Sequence, residues 1–443
     1  MKLDAHLGVD VVAHEADDTV DVLLHLEAPT AHTVDRAPST LQVVLDRSGS
    51  MAGRPLDGAK RALVALVERL EPTDNLGLVV FDDTAEVVVP AGPLTDKAGV
   101  LDRIRAVRPG GTTDLSAGYV RALREVKRVF AEPWDVLFPD GDDPQATTGR
   151  AGATVLIISD GHVNAGLRDV DRFADLARAA YADRVTTTTL GYGEGYDETL
   201  LSALARGGSG NHVFAADPDA AGAAIAQEVD GLLEKVALAA SLTVRFAPEV
   251  AMLRLFNDLP AQQVGDGAVM VELGDLWSGE ARKLLLRLHV PAMPALGLAQ
   301  VASLDLQWVE LPGLVEHTVS LPISVNVVPG DEAAQRVPDP TVRSEVLFQE
   351  AQEAKRKASE AFERGDLDVG RTYLGETELL LDGAAGLLDG AGKAELDAER
   401  ADVRRMQQLS TEAPPTHVSK LTRASYHQQN RKRGRRRESD GGQ

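Results

Sequence analysis

Leu41-Gln-Val-Val-Leu-Asp46-Arg-Ser-Gly-Ser50 is the stretch on which the fold turns. Its first five residues make a short apolar strand that stops abruptly at Asp46, where a polar loop begins. Pro55, suited to the first turn of a helix, then opens a segment in which Ala59, Leu63, Leu66, Val67 and Leu70 recur at helical spacing. Strand, loop and helix in that order form the first step of an alternation that runs on downstream. Strands are read at Asn75 to Phe81, Glu86 to Val89, Val155 to Ile158, Val185 to Leu190 and His212 to Ala215. Helices are read at Leu115 to Phe130, Val170 to Tyr181 and Pro218 to Leu233. Apolar strands alternating with amphipathic helices predict a doubly wound, mainly parallel α/β sheet of Rossmann-like type over residues 39–236. A Pro-, Gly- and Asp-rich stretch from Glu132 to Gly152 reads as an inserted loop.

The pattern changes on both sides of this unit. In Lys283-Leu-Leu-Leu-Arg-Leu-His-Val290, Leu284, Leu286, Leu288 and Val290 share one face, and Val319 to Val327 is similar. Such period-two segments predict a small β-sandwich over 237–330, joined by the strand-like Val20 to Leu26 from residues 1–38. Beyond Pro340 helical spacing returns. Val342 to Phe362, a Gly365-Asp366 break, Leu367 to Leu388 and Glu395 to Leu409 predict a helical hairpin with a third helix over 340–412. Residues 413–443 show no apolar period and are expected to be a disordered basic tail.

A length of 443 residues asks for two to four compact units, and 44 % hydrophobic residues support globular structure over most of it. The chain has no cysteine, which excludes disulfides and thiolate metal sites and fits a reducing compartment. The N-terminus lacks a secretory pattern, and the uncharged stretch Val290 to Leu304 is broken by Pro291 and Pro294, so the expected location is cytoplasmic, without a membrane span. Net charge is −22; the stretch 420–437 carries eight Lys or Arg and no acid, which leaves −30 on the rest. So acidic a body repels nucleic acid and membrane surfaces, and any such contact would run through the tail.

Asp46, Ser48 and Ser50 stand at alternate positions directly after the first strand, so a carboxylate and two hydroxyls can converge above the carboxyl edge of the sheet. In open α/β sheets that edge binds ligands. Gly110-Gly-Thr-Thr-Asp114 and Ser159-Asp160-Gly161 fall on other loops of the same edge. Hard oxygen donors with few charges and no imidazole or thiolate suit Mg²⁺ or Mn²⁺ rather than Zn²⁺. Read alone, Asp46, Ser48 and Ser50 could equally be loop and N-cap residues. The acidic pairs at Asp82-Asp83 and Asp140 to Asp143 read as solvated turns, His162 as a loop residue, and the stripe of Val346, Leu347, Ala354 and Ala361 as helix packing rather than a partner groove.

Asp46-Arg-Ser-Gly-Ser-Met51, Gly110-Gly-Thr-Thr-Asp-Leu115 and Ile157-Ile-Ser-Asp-Gly161 resemble the metal-ion-dependent adhesion site of von Willebrand factor A domains, over about Thr40 to Val236. The flanking sandwich resembles bacterial proteins akin to inter-α-trypsin inhibitor heavy chains. The resemblance implies a metal held by Asp46, Ser48, Ser50, Thr113 and Asp160, with Thr113 preferred to Thr112 by the family's spacing to the following helix. It also implies a non-catalytic role, in which a protein partner supplies a Glu or Asp to the metal. These side chains are expected above the sheet and outside its core, so that Asp46→Ala spares the fold.

Two other functions compete with this one. A Mg²⁺-dependent hydrolase or phosphatase also places an Asp after the first strand, but such a mechanism commonly needs a carboxylate two residues later, where this chain has Ser48. Phosphate-loop, His-Glu-x-x-His and Gly-x-Ser-x-Gly motifs are missing from the sequence. An assembly scaffold acting through the C-terminal helices or the tail is the third.

Overall fold

The computed structural model describes residues 1–30, 38–130, 152–160, 163–193, 196–215, 225 and 234–430. The loop read at Glu132 to Gly152, apart from Gly152 itself, lies outside them. So do Asp140 to Asp143, His162, all of the helix read at Pro218 to Leu233 except Ile225, and residues 431–443. Two compact units emerge. One combines Met1–Thr30, Ala239–Trp308 and the chain from Glu316 onward; the other combines Ala31–Leu238 with Val309–Val315.

The chain opens with β1 (Lys2–Leu7), β2 (Val11–Ala13) and β3 (Asp18–Glu27) of the first unit. The second unit then contributes β4 (Thr40–Asp46), α1 (Arg54–Arg69), β5 (Asn75–Phe81), β6 (Ala85–Pro93), α2 (Lys97–Ala106) and α3 (Leu115–Phe130). It continues with β7 (Ala153–Ser159), α4 (Val170–Ala182), β8 (Val185–Tyr192), α5 (Glu198–Gly207) and β9 (Ser209–Ala215). Its sheet runs β6-β5-β4-β7-β8-β9, parallel throughout except for β6, which turns back antiparallel onto β5. The unit is therefore the doubly wound, mainly parallel α/β fold of the sequence reading, with one antiparallel edge.

β4 is central because its side chains can be buried both ways. Leu41, Val43 and Leu45 pack in a core with Leu56, Ala59, Leu63, Leu66 and Val67 of α1, while Val44 belongs to a second core with Tyr119 of α3 and Phe173 of α4. Each such burial contributes about 1.5–3 kcal/mol. Between Leu41 and Leu45 only Gln42 is polar, buried and bonded to the Val43 carbonyl at 3.1 Å, and the rest of the polar chemistry lies at the strand's end.

The first unit resumes with β10 (Lys235–Phe246), β11 (Ala251–Leu255), β12 (Ala261–Gln263), β13 (Ala268–Trp277), β14 (Ala281–Val290), β15 (Gly297–Glu310) and β16 (Val315–Val328). One sheet is ordered β1-β3-β14-β11 and the other β12-β13-β10-β15-β16-β2. β3 and β14 pair over their full length, from Asp18 opposite Val290 to Glu27 opposite Ala281. Val20, Val22, Leu24 and Leu26 are buried on one face of β3, and Leu23 on the other meets Leu285 and Phe256.

After a one-turn helix α6 (Gly330–Ala333) come α7 (Pro340–Glu363), α8 (Leu367–Ala385), α9 (Gly390–Glu412) and α10 (Pro415–Asn430). Asp339 caps α7 by accepting from the Thr341 and Val342 N–H groups at 2.8 and 3.0 Å. Two expectations are corrected. Helical spacing predicts a domain over 340–412 separate from the sandwich, yet the helices share its unit, because Val342 and Val346 of α7 pack on Leu23 and Leu285. The missing apolar period predicts a disordered tail from residue 413, yet Pro415–Asn430 is a helix. Its buried face is Val418, Ser419, Thr422 and Tyr426, and the Ser419 hydroxyl donates to the Ser359 carbonyl at 2.9 Å. That contact face is rich in hydroxyls, so no apolar period announces it.

Val346, Ala354 and Ala361 are buried, as packing residues should be. Lys355 is also fully buried and is ion-paired with Glu399 of α9, with the Ser425 hydroxyl 3.1 Å away. Among the described residues no helix is long and apolar enough to cross a membrane.

Candidate metal centre

β4 and β7 lie side by side and parallel, so the loops that follow them start at the same edge. Asp46 is the last residue of β4. It is 0 % exposed, and its carboxylate accepts from the Ser48 N–H at 2.8 Å and from the Ser159 hydroxyl, at the end of β7, at 2.6 Å. A 3-10 turn over Gly49–Met51 follows, anchored by the fully buried Met51. Gly53, at φ +81°, adopts the left-handed backbone that lets α1 begin at the next residue. The Ser48 and Ser50 hydroxyls are 3.1 Å apart, and Ser50 donates to Asp160 Oδ1 at 2.9 Å. Asp46, Ser48, Ser50, Ser159 and Asp160 thus form one hydrogen-bonded chain, joined between Asp46 and Ser48 by the Ser48 N–H and elsewhere by oxygen atoms.

Thr113 reaches the same edge on the loop between α2 and α3. The Gly110 N–H donates to the Arg47 carbonyl at 2.6 Å and the Gly49 N–H to the Gly111 carbonyl at 3.0 Å, which ties this loop to the first. Thr113 is 2 % exposed whereas Thr112 is exposed. Asp114 serves as the cap of α3, accepting from the Ala117 N–H at 3.0 Å.

Burial raises the pKa of Asp46, against the hydrogen bonds from Ser159 and Ser48, and the nearby Asp82 charge adds to the rise. Burial likewise raises Asp160 to about 6, opposed by the Ser50 bond and reinforced by the charge of Asp46. Among the described residues neither carboxylate is ion-paired with Lys or Arg, and no three His, Cys, Asp or Glu side chains cluster. Two desolvated carboxylates ringed by hydroxyls are a setting that a cation relieves.

One expectation needs correction here. Asp46 and Ser48 are buried, not clear of the core, so Asp46→Ala would strip two donors of their acceptor. Ser159, which belongs to the third sequence segment but not to the expected ligand set, bonds Asp46, and Asn164 and the Arg47–Asp82 pair join the site without a place in that set. Ser159 had a signal, since it precedes Asp160 at the end of an apolar strand. The solvated turn expected at Asp82-Asp83 holds for Asp83, which is exposed, whereas Asp82 is 5 % exposed and bonded to Arg47 and Thr84 in a structural role.

A doubly wound sheet with an oxygen-lined centre at its carboxyl edge defines a class of ligand-binding α/β domain. Residues 41–227 match the family model described as von Willebrand factor type A domain, and the chain carries a domain of that family. The whole chain resembles the solved structure of a von Willebrand factor type A protein from Catenulispora acidiphila, with a TM-score of 0.72, 16 % identity and coverage of 98 % of this chain and 97 % of that one. It is 27 % identical to an uncharacterized protein of Synechocystis sp. over 60 % of this chain, and 26 % identical to inter-alpha-trypsin inhibitor heavy chain H3 of Pongo abelii over 57 %. These matches span 61 % and 27 % of the two relatives' own lengths.

Proposed function

We propose that the three loops hold one divalent cation, Mg²⁺ or Mn²⁺, through Asp46, Ser48, Ser50, Thr113 and Asp160, and that the bound ion takes a Glu or Asp side chain from a protein partner. The observation that carries this reading is the hydrogen-bonded chain from Asp46 through Ser48 and Ser50 to Asp160, a buried and a half-buried carboxylate among hydroxyls. The donor set fits the group: all hard oxygens, two negative charges against two positive, and no soft ligand. Domains of this family typically serve as protein–protein interaction modules, which agrees with it. When bound, the cation would supply positive charge to a carboxylate that neutral surfaces could not attract as strongly.

Catalysis is not part of this reading. Ser48 stands where a hydrolase of the kind considered above would carry its acid–base carboxylate, and its hydroxyl is engaged with Ser50. A Mn²⁺ titration of the full chain, followed by water-proton relaxation, tests the proposal directly. Bound Mn²⁺ should enhance relaxation, and acetate or a Glu-containing peptide should lower the enhancement by displacing water. Binding unchanged in Asp46→Asn, or an enhancement indifferent to carboxylate, would refute it, and metal-dependent phosphoester turnover lost in Asp46→Asn would favour the hydrolase.

A further inference from the structure

Thr113 is a neutral ligand candidate on a loop that begins with two glycines, so nothing intrinsic to the loop fixes it. The structure holds it from both sides. On one side is Asp82, whose buried carboxylate accepts from the Thr84 N–H at 3.0 Å, the Thr84 hydroxyl at 3.1 Å and Arg47 Nε at 3.0 Å. The Asp82 carbonyl accepts from the Asp114 N–H at 2.7 Å. Gly110 packs so closely on this residue that a Cβ there would lie 1.9 Å from Asp82 Oδ2. Arg47 completes the fixture through its carbonyl, which receives the Gly110 N–H, and through a second guanidinium bond to Glu86 at 2.9 Å.

On the other side is Asn164. Its Oδ1 accepts from the Thr113 N–H at 2.8 Å, while its own N–H and that of Ala165 donate to the Thr113 carbonyl, both at 3.2 Å. Both polar backbone groups of Thr113 are therefore engaged by the segment that follows Asp160. The three loops are joined pairwise: first to second through Arg47 and Asp82, second to third through Asn164, third to first through Asp160 and Ser50.

We propose that Asp82, with Arg47, and Asn164 are positioning residues that fix Thr113 and thereby set the affinity of the cation site; this rests on the metal reading above. Outer partners that orient ligands are worth about 10- to 100-fold in metal affinity. They act through the placement of the loop and do not touch the ion.

The test is calorimetric titration of the full chain with Mn²⁺, with the melting temperature in chelator recorded for each variant. Asn164→Ala and Asp82→Ala should each weaken Mn²⁺ binding about 10- to 100-fold, and Arg47→Lys should recover most of the loss seen in Arg47→Met. A purely structural role would lower the melting temperature and leave the affinity of folded protein unchanged. Asn164 is exposed, so its variant keeps the test decisive if Asp82→Ala fails to fold. Wild-type affinity in folded Asn164→Ala overturns the proposal. No Mn²⁺ binding by the wild type overturns the metal reading and this inference with it, a result distinct from equal binding by wild type and variant.

Discussion

Replacing Asp46 by Asn changes charge while nearly preserving shape, and the burial of this residue makes the consequence depend on metal. In chelator the wild type keeps a desolvated carboxylate whose pKa burial has raised. The amide retains an acceptor for the Ser48 N–H and removes the buried charge, while Ser159 must turn from donating to accepting. The net change should stay within about 1 kcal/mol. Asp46→Ala is different, because it leaves two donors without their acceptor at about 1–3 kcal/mol each. If the proposed site binds Mg²⁺, the ion at a hundred times its dissociation constant would add about 2.7 kcal/mol to the wild type. For a unit of about 200 residues that is a rise of roughly 5–11 °C in melting temperature. Scanning calorimetry of the α/β transition in chelator and in Mg²⁺ should therefore show wild type and Asp46→Asn close together without metal and well separated with it. An Asp46→Asn protein that gains as much from Mg²⁺ as the wild type would refute the reasoning.

Further outcomes follow from the packing. Burial pulls the Asp18 pKa up, but its bonds from Arg336 and from the Thr19 N–H outweigh this and hold it below the usual value. A depressed folded pKa contributes stability that is complete above the unfolded value and is lost as pH falls through the folded one. Asp18→Asn should therefore flatten the acid limb below about pH 4 in urea midpoints of the sandwich unit, and an unchanged limb would count against it. Gly118→Ala would set a Cβ 2.8 Å from the Phe81 ring, so the α/β unit should lose about 1–3 kcal/mol in denaturant titrations, and no loss would mean that α3 yields freely. Lys355→Met leaves Glu399 buried without its partner and should cost about 3–5 kcal/mol, most of it recovered by adding Glu399→Leu. Additive losses in that double-mutant cycle would show the pair to be uncoupled.

The α/β unit could be read from sequence because its signals are local. β4 is apolar at nearly every position since both its faces are buried, and the loop after it gathers polar residues at the one place where neither core can claim them. The antiparallel edge β6 looks like any other strand, and only its short link from Phe81 to Ala85 hints at a hairpin. α10 escaped because its contact face is Val418, Ser419 and Thr422, polar by composition yet buried by hydrogen bonding to α7. At the candidate metal centre the proposed ligands belong to compact motifs, whereas the residues around them do not. Asp82 meets Gly110, and Asn164 meets Thr113, across distances in sequence that carry no periodic signature.

The ten-rung pairing of β3 with β14 sets a schedule for the growing chain. Leu24 emerges from the ribosome before the α/β unit but can pair with Leu284 only after that unit has been made. At about 5–20 residues per second the delay is on the order of 10 to 50 s. Meanwhile β1 and β3 can form only a two-stranded pair, marginal by itself in water, with Val20, Val22, Leu24 and Leu26 uncovered. The α/β unit is contiguous apart from a short return and can complete its core first. Birth order and spatial order therefore disagree in this molecule: β3 is translated before the α/β unit yet waits for a strand made after it, and chaperone dependence during synthesis should concentrate on that segment.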